Sequence, residues 1–66
     1  MKPGIYKHYK GNFYTVISIA RHSETLEEMV VYKNNKDECW VRPRKMFEEN
    51  VLVEGKEVAR FEFQSA

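Results

Sequence analysis

Cysteine is nearly absent: Cys39 is the only one in 66 residues. A single thiol excludes an intramolecular disulfide and any zinc site built from several cysteines. A small domain without disulfides reads as cytoplasmic. Glycine and proline are also scarce, at three and two. They leave no room for a low-complexity linker, and the chain reads as one domain over residues 1–66. An excess of charge is missing too: eleven Lys and Arg face ten Asp and Glu, for a net charge of +1. That balance argues against a strong electrostatic grip on nucleic acid and leaves room only for a local basic patch. No segment approaches the ~20 apolar residues needed to span a membrane. Lys2 is followed by Pro3 and Gly4 with no apolar run behind them, so no secretory leader of the usual form is expected.

What the chain does have is aromatic area. Four phenylalanines, four tyrosines and one tryptophan supply large buried surface per residue. A domain this small needs them, because its core alone supplies on the order of 3–5 kcal/mol. So narrow a margin is compatible with a homodimer.

β-Formers separated by turn residues dominate the pattern. Ile5–Tyr9 reads as a short strand, followed by a turn at Lys10-Gly11-Asn12. Phe13–Arg21 is the clearest strand. Strict alternation places Phe13, Thr15, Ile17 and Ile19 on one face and Tyr14, Val16, Ser18 and Ala20 on the other. Both sets are fairly apolar, which predicts a central strand. His22–Glu28 is a polar turn with an acidic patch. Met29–Lys33 is the next strand, Asn34–Asp37 a turn, and Cys39–Arg42 a strand that Pro43 ends for want of an N–H. Arg44–Glu49 is the one candidate helical turn, with Met46 and Phe47 directed at the core. Asn50–Val53 and Val58–Phe63 are strands joined through Glu54-Gly55-Lys56, and Gln64–Ala66 is expected to fray. Five to six antiparallel strands with one short helical turn predict an all-β fold, a small SH3-like barrel.

The runs Lys2–Gly11 and Ala20–Glu27, then Val31-Tyr32, Trp40–Pro43 and Met46-Phe47, together resemble a bacterial family catalogued as domain of unknown function 1653. The resemblance spans Lys2 to Phe61. It implies an SH3-like β domain, standing alone or attached to other modules, and implies no activity. The Asn34–Cys39 segment departs from the family's pattern in being shorter and more polar.

Two polar clusters could carry chemistry. The first is His22-Ser23-Glu24-Thr25. Its hydroxyls, imidazole and carboxylate could bind a ligand, or could cap their own turn. A Ser23–His22 nucleophile is disfavoured, since neighbouring side chains in extended backbone face apart and nothing nearby builds an oxyanion hole. His8, His22, Glu24 and Cys39 are the only candidate metal ligands, and their spacing matches no known site. The second cluster is Trp40-Val41-Arg42-Pro43. Alternation puts Trp40 and Arg42 on one face and Val41 on the other, toward the core. Arg42 could pair with an internal carboxylate, Glu24 or Glu27, or with a carboxylate on a ligand. The aromatics Tyr6, Tyr9, Tyr14, Tyr32 and Trp40, interleaved with Lys7, Lys10, Arg42, Arg44 and Lys45, could stack bases or a cationic ligand while the cations hold phosphates, or could simply fill the core.

These readings converge on a non-catalytic binding module whose surface joins His8, His22, Ser23, Glu24, Thr25, Trp40 and Arg42. Its expected partner is a protein segment or a small anionic ligand. Nucleic acid, or a small enzyme or metal site built on His22 and Glu24, are the alternatives. No catalytic residue, metal ligand or cofactor is assigned, and whether the chain is an enzyme stays open, with the balance against it.

Overall fold

A computed structural model describes all 66 residues. It contains strands β1 (Gly4–His8), β2 (Phe13–Arg21), β3 (Glu28–Lys33) and β4 (Cys39–Pro43), a single helical turn α1 (Arg44–Phe47), and strands β5 (Asn50–Val53), β6 (Lys56–Ala59) and β7 (Phe61–Ser65). The fold is all-β, with seven strands in place of the five to six expected. One boundary explains the difference: the Val58–Phe63 segment is interrupted at Arg60 and becomes two strands. The C-terminal residues also do not fray, since β7 runs to Ser65.

The first four strands form an antiparallel meander and β7 returns to pair with β1, giving the order β4-β3-β2-β1-β7. β5 and β6 make a separate hairpin. Its loop is Glu54-Gly55, with φ of 51° and 79°; positive φ at both central residues matches the right-handed twist of the flanking strands. No sheet closes. β4 and β7 are free edges, and no ladder joins them as a barrel would require.

α1 occupies the concave side of the open sheet. Phe47 is 1% exposed. Its ring stacks on Phe61 at 3.9 Å and meets Tyr6 at 5.6 Å and Tyr32 at 5.5 Å. These four aromatics, with Val16 and Val30, are the whole fully buried core. Pro43 suits the start of the turn: its φ of −53° is already helical, and its missing N–H falls on an edge strand.

β2 breaks the expected alternation. Val16 pairs with Tyr32, but the next partners are Ser18 with Val31 and Ile19 with Val30. Ile17 is therefore an extra residue, a β-bulge that resets the face. Tyr14, Val16 and Ile19 share the inner side, while Ile17 is expelled and 44% exposed. Val41 also differs from expectation. It pairs with Val31 on the outer face and is 61% exposed, whereas Trp40 and Arg42 sit opposite Tyr32 and Val30 on the inner side.

Candidate functional site

The strands separate the two polar clusters. β2 leads away from His8 toward His22, so the His22–Thr25 turn lies at the end of the sheet opposite His8. The single surface expected from His8, His22, Ser23, Glu24, Thr25, Trp40 and Arg42 is not assembled. His8, Trp40 and Arg42 belong to the aromatic side of the sheet, and the turn stands apart from them.

At the turn, the polar atoms serve the backbone. The His22 amide donates to Glu27 O at 2.8 Å, and the Leu26 amide donates to His22 O at 2.9 Å. His22 Nδ1 accepts from the amides of Glu24 and Thr25 at 3.1 and 3.4 Å, and Thr25 Oγ1 accepts from the Glu27 amide at 3.2 Å. Such local bonds are how Ser, Thr and Asx-like side chains stabilise tight connections; here an imidazole takes the part. Leu26 completes the turn at φ 64°. A shallow concavity of about 710 Å³ beside it is lined by Thr25, Leu26, Glu27, Glu28, Arg44, Lys45 and Glu48. Its Arg44 is already engaged, with Nη1 3.3 Å from Glu28 and Nε 3.2 Å from Glu48. Those two carboxylates hold the Arg44 guanidinium above its ordinary pKa. The expected ion pair of Arg42 with Glu24 or Glu27 does not form: the acidic patch is answered by Arg44 through Glu28. Replacing His22 with alanine removes one acceptor from the turn and should lower stability by about 0.5–1.5 kcal/mol, read by urea denaturation, with ligand binding elsewhere unchanged.

At the other end, side chains converge on Phe61. His8 and Phe61 are cross-strand partners on β1 and β7. The imidazole meets the Phe61 ring at 4.9 Å, Tyr9 at 4.6 Å and Tyr14 at 6.3 Å. Tyr14 also contacts Phe61 and Tyr32, both at 5.6 Å. The Arg42 guanidinium lies 5.8 Å from the Phe61 centroid, and Lys10 Nζ lies 5.8 Å from that of Tyr9. Neither cation has a carboxylate within ion-pair distance, whereas Arg60 is bound by Glu49 at 2.7 Å. Trp40 extends the platform on the edge strand opposite Tyr32, with half its surface exposed. His8 also lines a groove of about 280 Å³ with Tyr9, Val53 and Val58, between the sheet and the hairpin.

Burial, then the charges of Arg60, Lys10 and Arg42, hold the His8 imidazole below its ordinary pKa of 6.5. In the unfolded chain that imidazole takes up a proton first, so between the two pKa values the unfolded state binds more protons and stability rises with pH. The thermal midpoint should therefore fall as pH drops through about 6.5, and His8→Gln should flatten that part of the profile.

Phe61 is the residue that the sequence reading leaves out; Tyr14 and Lys10 are grouped there with Arg42 but not with His8. The parity of Tyr6 and His8 in β1 was the available signal for an aromatic inner face. The candidate metal ligands do not converge: His8 and His22 lie at opposite ends, Cys39 is on the outer face opposite Lys33, and no group of three or more His, Cys, Asp or Glu side chains comes together.

No curated protein matches this sequence. A crystal structure of a protein from Bordetella bronchiseptica belonging to DUF1653 superimposes with a TM-score of 0.88 at 31% identity, covering 97% of this chain and 87% of that one. Residues 4–63 match the family described as protein of unknown function, DUF1653, and the chain belongs to that family.

Proposed function

We propose that this DUF1653 chain is a non-catalytic binding module whose His8 end receives a small anionic ligand bearing a flat ring. The observation that carries this reading is the pair of unpartnered cations, Arg42 and Lys10, packed on aromatic rings around His8. Arg44 and Arg60, by contrast, are engaged, Arg44 by two glutamates and Arg60 by one. A guanidinium held over a ring keeps its outer N–H groups free for a carboxylate or phosphate. The adjacent rings offer stacking area for the rest of the ligand. We read the fold as an SH3-like barrel in which Phe47, rather than a hydrogen-bonded ladder, spans the gap. An exposed, unpaired Cys39 fits a cytoplasmic location.

The test is an amide NMR titration with phenyl phosphate, with inorganic phosphate and phenol as half-ligands. Phenyl phosphate should give saturable shifts at His8, Arg42, Phe61 and the Trp40 indole N–H, larger than either half gives. Shifts confined to the His22–Thr25 turn, or none that saturate, overturn the reading. Nucleic acid is the second reading, since unpaired cations beside aromatics also suit a single strand. A short oligonucleotide whose affinity falls steeply with salt would favour it.

A further inference from the structure

β4 is an edge strand with an open row of backbone groups. Its ladder partner is β3 alone, and none of the backbone hydrogen bonds outside the ladders involves Cys39–Pro43. The Asn34 amide donates to Glu38 O at 3.1 Å, and the register runs on from there without a slip. Bonded and non-bonded positions alternate along an antiparallel pair. Trp40 and Arg42 therefore turn their amides and carbonyls toward β3, and Cys39 and Val41 turn theirs outward, with the Pro43 carbonyl. Cys39, Trp40 and Val41 are all exposed. The other edge, β7, is better closed: Phe61 is buried, and the Gln64 side-chain amide donates to the Phe63 carbonyl at 3.4 Å.

The residues around this edge are complementary to themselves. Asp37-Glu38 precedes β4 and Arg44-Lys45 follows it. Laid antiparallel on a second copy with Val41 opposite Val41, the strand brings the acidic end of each chain to the basic end of the other. Glu38 and Lys45 make no ion pair within the chain and are free to answer one another there. Sliding the strands by two residues keeps the outward groups facing but spoils the charges. One slide sets Arg42 against Arg42. The other gains Glu38 opposite Arg42, but brings Lys36 to Arg44 and leaves Lys45 unanswered. Like charges directly opposite are destabilising.

We propose that β4 pairs with β4 of a second copy in this register, across a two-fold axis normal to the sheet. The unpaired edge is a template for such an addition. The two Val41 residues exchange their backbone bonds at the axis. Each Cys39 amide donates to the partner's Pro43 carbonyl, so the missing N–H of proline costs only the reciprocal bond. On the inner side Trp40 stands opposite the partner's Arg42, a cation–π pairing. The contact is made by backbone atoms and flanking charges, and does not rest on the binding function proposed above.

The experiment is sedimentation equilibrium across about 5–500 μM, the range in which an interface of minimal area associates. The expected result is a reversible monomer–dimer equilibrium that weakens as salt is added. Val41→Pro removes an N–H that points away from β3, a change an edge strand tolerates. It should weaken dimerisation at least tenfold while the amide NMR spectrum stays dispersed. Glu38→Lys and Lys45→Glu should each weaken it at least threefold, and they decide the matter if Val41→Pro loses its dispersion. Leu52→Glu on the hairpin should leave the dimer unchanged. A monomer at every concentration overturns the proposal. So does a dimer that persists in a folded Val41→Pro chain, or one that is indifferent to both charge reversals.

Discussion

Phe47→Ala should leave the domain largely unfolded at room temperature. Phe47 is the only core residue that does not come from the five-stranded sheet, and its ring touches three of the other five: Tyr6, Tyr32 and Phe61. Truncating a buried phenylalanine costs about 3–5 kcal/mol. The core of a domain this size supplies a similar amount, on the order of 3–5 kcal/mol. The loss is also structural. The open sheet has no ladder between β4 and β7, so removing the ring that fills its concave side exposes the inner faces of Tyr6, Tyr32 and Phe61 together. Phe47→Leu keeps most of the volume and should retain the fold with a lowered urea midpoint. Loss of amide dispersion in Phe47→Ala, with its retention in Phe47→Leu, is the expected pair of spectra. A folded Phe47→Ala protein with an unchanged midpoint would show that α1 is dispensable.

Arg42→Ala should lower affinity for phenyl phosphate at least tenfold. Hydrogen bonds to a charged group contribute roughly 1.5–3 kcal/mol, and each 1.4 kcal/mol is about a factor of ten in binding. Arg42→Lys keeps the charge but loses the planar fork and should recover only part of the affinity. Fold stability should change little, because the guanidinium makes no ion pair and its contact with Phe61 is a cation–π contact of about 0.5–1 kcal/mol. The same titration that maps the site measures both variants. Equal affinities for wild type and Arg42→Ala would remove the cation from the proposed function.

The elements were legible because their signals are local. Asn34–Asp37 and Glu54-Gly55 are turns with turn residues, and β-formers fill the segments between them. Strand pairing is not local, and the errors came from there. Ile17 is as good a β-former as its neighbours, so nothing in its identity marks it as the residue the ladder skips. The bulge then moved Ile19 to the face opposite the one alternation assigns it. Alternation alone places Val41 inward, on the premise that the apolar partner of an alternating pair faces the core. β4 is an edge strand of a sheet covered on one side only, and its inner positions went to Trp40 and Arg42. The joining of His22–Thr25 with Trp40 and Arg42 failed for a similar reason. Parity decides which face a residue takes, but the distance along the sheet depends on register. Within the turn itself, the self-capping reading matches the bonds to His22 Nδ1 and Thr25 Oγ1.

Arg60 stands where two sheets meet. Its amide donates to Glu49 at the foot of the hairpin, and its carbonyl accepts from Tyr9 beside β1. That second bond is the one backbone hydrogen bond joining the hairpin to the main sheet, which makes the hairpin a unit that can open without disturbing the core. Amide exchange over residues 50–59 should then proceed through local opening, at a free energy well below that of global unfolding, while Val16 and Val30 exchange only when the whole chain unfolds. The chain thus joins a rigid sheet to a loosely tethered arm, and the groove between them, with His8 in its wall, can widen without any cost to the core.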